Sequence, residues 1–239
     1  RWPDRAQLHA EPLTMSVSQK QQLVLGCRLL DTAGLYDEHG HLSARQEDPE
    51  DILINAFASP ATTTIRDYIE VDLGGTDYPH SAPGETPIHT QTLRHRPDVE
   101  AVCHHHAPYT TLLSSVGIPH RPVHPNGVIQ KAALPVFEDY HTEGGMLVTT
   151  EAEGAALAET LGDHEAVVLR GHGVVVVGNS VPEVVVKCLK IEYNAELLYK
   201  QAVVGEPWYL PDALVEENVN NMTSDAQIVK TLDYYFTQL

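Results

Sequence analysis

The sequence predicts one α/β domain built on a mixed or antiparallel sheet with flanking helices. Three observations predict it. Short apolar runs of strand length recur at 99–103, 166–169 and 174–177. Between them lie longer segments with helical apolar spacing. No repeat or linker divides the chain, and 239 residues suffice for one substantial core and are short for two.

Each element follows from local signals. Residues 18–33 read as a helix, because Ser18 and Gln21 resemble a capping box and Val24, Cys27 and Leu30 form an apolar stripe that Gly34 stops. Residues 42–45 and 51–55 are strands separated by a polar turn, and 68–72 alternates until Gly74-Gly75. A loop at 79–84 leads into a helix at 85–95 with Ile88, Thr92 and Leu93 on one side. The strand at 99–103 runs straight into His104-His105-His106. A helix at 108–116 carries proline near its first turn, where a missing N–H is harmless. Residues 117–145 are irregular. A strand at 146–149 and a helix at 150–161 follow. The strands 166–169 and 174–177 flank Arg170-Gly171-His172-Gly173, and a long helix at 182–204 ends at Gly205. The core thus covers about 18–205 of a single domain spanning 1–239, and 206–239 form a helical, partly peripheral tail.

Composition narrows the function. With 33 acidic and 15 basic residues the formal charge is −18, which disfavours nucleic acid and anionic membranes as partners. The three cysteines, Cys27, Cys103 and Cys188, form no disulfide framework and are expected as small core residues in a reducing cytoplasm. No apolar run reaches the roughly 20 residues of a membrane span. The start, Arg1-Trp2-Pro3-Asp4, has no signal-peptide pattern. Asn221-Met222-Thr223 fits a glycosylation sequon, discounted for that reason.

Histidine is the unusual residue, with 14 in the chain. Strand alternation puts His104 and His106 on one face and His105 on the other. Two imidazoles on one face can share a metal ion, and His172, between two glycines and two apolar strands, is the best third ligand. Glu85 opens a helix whose N-terminus would stabilise its carboxylate, with His89 one turn on. It is a candidate base or proton carrier beside the metal.

Taken together, Glu85-Thr86-Pro87-Ile88-His89, Arg96-Pro97-Asp98-Val99 and Ala101-Val102-Cys103-His104-His105-His106-Ala107-Pro108-Tyr109 resemble the core signature of the class II aldolase/adducin family. Residues 169–178 resemble its third-histidine segment, and Gly40-His41-Leu42-Ser43-Ala44-Arg45 its N-terminal motif. The resemblance covers roughly residues 18–205. It implies a three-layer α/β/α sandwich around a mainly antiparallel sheet. It also implies one divalent ion per subunit on His104, His106 and His172, zinc first and manganese, cobalt or iron as alternatives, with Glu85 as acid/base. A homotetramer with sites at subunit interfaces is implied as well.

Departures from the family pattern point away from sugar phosphates. His41 replaces an asparagine, Pro83-Gly84 precedes Glu85 in place of two serines, and Ala58-Ser59-Pro60-Ala61 replaces a threonine–glycine turn. Hydroxyls and backbone donors suit phosphate, and proline offers neither. The histidine form resembles the branch containing decarboxylases of hydroxylated aromatic acids. The resulting expectation is a metal-dependent lyase that decarboxylates such an acid. An aldolase on a small hydroxy-carbonyl compound, an iron oxygenase and a non-enzymatic adducin-like module are the rivals. His41, Ser43, Arg45 and Gly84 are the expected substrate-binding residues; Arg170, the other cation that could answer a substrate carboxylate, precedes the metal histidine and is expected to be structural. His124, Tyr140 and His141 are expected as groups of the second layer or of a neighbouring subunit, with His124 and Tyr140 as catalytic candidates beside Glu85.

Overall fold

The computed structural model describes residues 17–48, 50–140 and 145–237. Seven strands form one sheet: β1 (His41–Arg45), β2 (Asp51–Asn55), β3 (Tyr68–Asp72), β4 (Ala101–His105), β5 (Val136–Phe137), β6 (Ala166–Leu169) and β7 (Gly173–Gly178). Their order is β3-β2-β1-β4-β7-β6-β5. Every pairing is antiparallel except β5 with β6. The helices are α1 (Gln19–Thr32), α2 (Thr86–His95), α3 (Pro108–Ser115), α4 (Glu151–Leu161), α5 (Val181–Val204), α6 (Asp212–Met222) and α7 (Asp225–Phe236). The expected α/β sandwich around a mainly antiparallel sheet is the fold observed.

Alternation along the strands separates two apolar layers. Leu42, Ala44, Ala101, Cys103, Val174 and Val176 pack with α1, α5 and α7. Ile52, Ile54, Val102, Val175 and Val177 pack with α2 and α4. The continuous valine run of β7 is explained by this cover on both faces. Each of Val174–Val177 is at most 1% exposed, and such burial contributes roughly 1.5–3 kcal/mol per side chain. The tail is helical, and α7 sends Ile228, Leu232 and Phe236 into the first layer.

Two local expectations need correction. Residues 146–149 form no strand: Met146 and Leu147 are exposed, and the Val148 N–H donates to Glu85 Oε1 (3.0 Å) rather than to a neighbouring strand. The edge strand in that part of the chain is β5, at residues read as irregular; two residues carry too little pattern to be recognised in the sequence. Glu85 is the N-cap of α2, yet its side chain makes no capping bond, because Val148 engages it.

Candidate metal centre

Three imidazoles meet at one end of the sheet. His104 lies on β4 and His106 just beyond it, so both project from one face while His105 takes the other. The turn between β6 and β7 adds His172. Ring centroids are 5.2 Å apart for His104–His106 and 5.0 Å for His104–His172 and His106–His172. Ligand nitrogens of the three lie within 4.8 Å of one another. Both glycines beside His172 are required. Gly171 has φ +69°, where a side chain is strained. A Cβ on Gly173 would sit 2.5 Å from the His105 carbonyl oxygen and 3.2 Å from His104 Cε1.

The Nε2 atoms of His104, His106 and His172 are buried without a hydrogen-bond partner. The other nitrogens of two of them are engaged: His106 Nδ1 lies 2.7 Å from Asp37 Oδ2, and His104 Nδ1 3.2 Å from the Val174 carbonyl oxygen. These acceptors take the Nδ1 proton and leave the Nε2 lone pair free, the form that binds a metal. Burial, followed by neighbouring imidazoles, holds His104 well below the usual histidine range and His172 at about 4. A buried polar atom left unpaired costs about 1–3 kcal/mol. Three such atoms converging on one point fit a divalent cation, and three protein ligands, one fewer than a structural zinc site takes, fit a catalytic one.

Glu85 stands beside this cluster. Its Oε2 is 3.5 Å from His104 Nε2 and 3.9 Å from His172 Nε2. Burial raises its carboxyl above the usual range, against the opposing effect of the Val148 N–H. Tyr140 is also close, its ring centroid 6.5 Å from that of His172 and its hydroxyl donating to the Arg170 carbonyl (3.3 Å). Burial and the Glu85 charge push its phenol upward.

The β1 residues divide. His41 is paired with His104 across the sheet, its ring centroid 5.5 Å away, and burial holds it at about 3. Ser43 Oγ lies 2.7 Å from His89 Nδ1, and the His89 ring is 5.7 Å from that of His41. Arg45, at the other end of the strand, donates to the carbonyls of Val99 (2.8 Å), Leu93 and Arg96, so the structure does not bring it to the cluster. Arg170 likewise donates to Ser114 O (2.6 Å) and to Glu138. Gly84 is an exposed turn residue with open space beside it. His124 caps a 3-10 turn through Asn126 N (3.1 Å) and packs on Tyr193, apart from the three imidazoles. His141 lies outside the described residues. Sequence reasoning missed Asp37, which orients His106; an acidic residue in a Tyr-Asp-Glu-His run carries no signal of that role.

The sequence matches the Class II Aldolase and Adducin N-terminal domain over residues 21–199. The chain belongs to the class II aldolase and adducin family. It is 31% identical over 225 residues to 3,4-dihydroxyphthalate decarboxylase of Arthrobacter keyseri, covering 86% of this chain and 88% of that one. A protein of the same name from Terrabacter sp. (strain DBF63) is 29% identical over 204 residues, covering 79% and 83%. Among solved structures, L-fuculose 1-phosphate aldolase from Glaciozyma antarctica PI12 superposes with a TM-score of 0.76 at 19% identity, covering 99% of this chain and 91% of that one. The first two are decarboxylases and the third an aldolase; both are carbon–carbon lyases, and this chain is a lyase of the same family.

Proposed function

We propose that this chain is a divalent-metal-dependent decarboxylase of a non-phosphorylated, hydroxylated aromatic carboxylate. The observation that carries the metal chemistry is the convergence of three unpartnered Nε2 atoms beside Glu85. The likeness to two dihydroxyphthalate decarboxylases supports the reaction type and substrate class. The surroundings support the absence of phosphate: the depression beside His41 is lined by Glu38, Asn55 and Phe57 among others, with no lysine or arginine. Zinc is the ion we assign, since three imidazoles and an open side suit it.

An ion held by His104, His106 and His172 would supply Lewis-acid polarisation of the substrate's oxygens. The chain's own residues do the rest. The carbon–carbon bond to the carboxylate breaks, CO2 leaves, and the electron pair stays on the ring carbon. Glu85 gives that carbon a proton and regains one from solvent. Burial raises that carboxyl and so favours its protonated form, the proton donor of the two forms this role alternates between. His41 and Ser43, with His89, form the polar wall that orients the ring, and Tyr140 closes the side next to His172.

We also propose a homotetramer with sites at subunit interfaces. Exposed Phe57, Met146 and Leu147 near the site support it, and His124 would act from a neighbouring subunit. A reducing cytoplasm is proposed from the three free cysteines. No helix among the described residues is long and apolar enough to cross a membrane.

The test is to incubate zinc-loaded protein with 3,4-dihydroxyphthalate and related ortho-dihydroxy aromatic acids, and separately with L-fuculose 1-phosphate. CO2 release with formation of the matching phenol is expected from the acids. Aldehyde release from the sugar phosphate without CO2 from any acid would replace the decarboxylase reading with an aldolase one.

A further inference from the structure

All three cysteines of the chain gather under the other face of β4. Cys27 comes from α1, Cys103 from β4 and Cys188 from α5, and each is free and 0% exposed. The two sulfurs of Cys103 and Cys188 and a ring nitrogen of His105 lie within 4.8 Å of one another. Around them, the Tyr36 hydroxyl is 3.2 Å from Cys103 Sγ, and the Tyr68 hydroxyl 3.1 Å from Cys27 Sγ.

His105 is the anomaly. It is 1% exposed, and the Leu35 backbone is the one hydrogen-bonding group at its ring, so at least one ring nitrogen is left without a partner. Its neighbours belong to the apolar layer that holds α1 and α5 on the sheet. An imidazole with a nitrogen left unpaired costs free energy there that an aliphatic side chain would not. The pocket is also held in place: a Cβ on Gly40 would meet the Tyr36 ring at 2.3 Å, so the glycine is what lets Tyr36 reach Cys103.

Two thiols and an imidazole are a soft donor set, suited to a thiophilic metal. Charge selects a divalent one. As the ion binds, two thiol protons leave, two metal–sulfur bonds and one metal–nitrogen bond form, and the site ends neutral. Only a neutral site is tolerable in a layer that excludes water. We propose that Cys103, His105 and Cys188 form a second, structural site for a thiophilic divalent ion such as zinc, with the Tyr36 hydroxyl as the nearest oxygen. Being closed to solvent, it is loaded during folding. His105 stands between His104 and His106, so an ion here fixes the segment that presents the catalytic imidazoles.

The test uses the full chain, refolded under reductant with cobalt(II). Metal content per chain is measured beside the thiolate-to-cobalt charge-transfer absorption, which a site of three imidazoles cannot produce. The wild type is expected to take up two equivalents and show the band. His106→Ala is expected to lose one equivalent and keep the band; Cys188→Ser, or Cys188→Ala should the first fail to fold, loses the band and keeps the other equivalent. A refolded wild type with one equivalent and no band overturns the second site, and needs no variant to do so. A band that persists with no His106-dependent equivalent overturns the catalytic centre instead.

Discussion

The two faces of β4 carry the same residue type to opposite ends. On one face His104 and His106 turn their Nε2 atoms toward His172, beside Glu85, at the sheet's end. On the other, one residue away, His105 is sealed among Cys103, Cys188 and Tyr36. Burial depresses the basicity of His104 and of His105, the latter to about 3. What differs is the company. Imidazoles beside a buried carboxyl have a proton carrier at hand, as the proposed lyase chemistry requires; an imidazole beside thiols has soft ligands, as the proposed structural site requires.

Removing a ligand from the open face should have the largest effect. His106→Ala is expected to lose one metal equivalent, that of the three-imidazole centre, and at least about 10³-fold in turnover, the scale of several kcal/mol of Lewis-acid stabilisation, with the far-ultraviolet circular dichroism unchanged. An undiminished metal content together with retained turnover would remove His106 from the centre. Next is Glu85→Gln, expected to keep the metal and slow turnover by about 10²-fold. Unchanged turnover would take Glu85 out of the proton transfer. A smaller effect is expected of Asp37→Ala, which frees the His106 ring from its 2.7 Å anchor. Metal affinity should fall about 10-fold or somewhat more, read by competition with a chelator, while saturating zinc restores turnover. Equal affinity would mean that the ring is held by packing alone.

Much of the open face was legible in the sequence because its signals are short-range. Alternation placed His104 and His106 on one side, and Gly171 and Gly173 marked a turn with a polar ring inside it. The strands of the buried core were legible for the same reason: Val174–Val177 is apolar throughout because both faces are covered. What was not legible depends on contacts between distant segments. Arg45 looks like a substrate cation from its motif, yet its guanidinium is taken up by carbonyls of residues 93, 96 and 99. Residues 146–149 look like a strand, yet Val148 answers Glu85, 63 residues away. The closed face was invisible as well, since Cys103 and Cys188 read singly as small core residues and only the packing of α5 on β4 joins them.

A buried imidazole remote from both faces separates the general effect of burial from metal binding. His120 is 3% exposed, with Nε2 3.3 Å from Thr110 Oγ1, and burial lowers it to about 4. Thr110 gives its own hydroxyl proton to Glu192 (2.8 Å), so His120 Nε2 is the donor in their contact, and it is burial that disfavours a second proton on the ring. In the unfolded chain it titrates near the ordinary value of about 6.5. As pH falls through the window between 6.5 and 4, the unfolded state binds the proton first and stability is lost; above that window the group is silent. Between pH 7 and pH 5 the loss from this residue alone should be about 2 kcal/mol. His120→Gln should therefore flatten the fall in urea midpoint of the metal-free protein over that range by a corresponding amount, and leave metal content at neutral pH untouched. A variant whose midpoint falls as steeply as the wild type would show that His120 is protonated in the folded state and that the acid lability of the molecule comes from the imidazoles of β4.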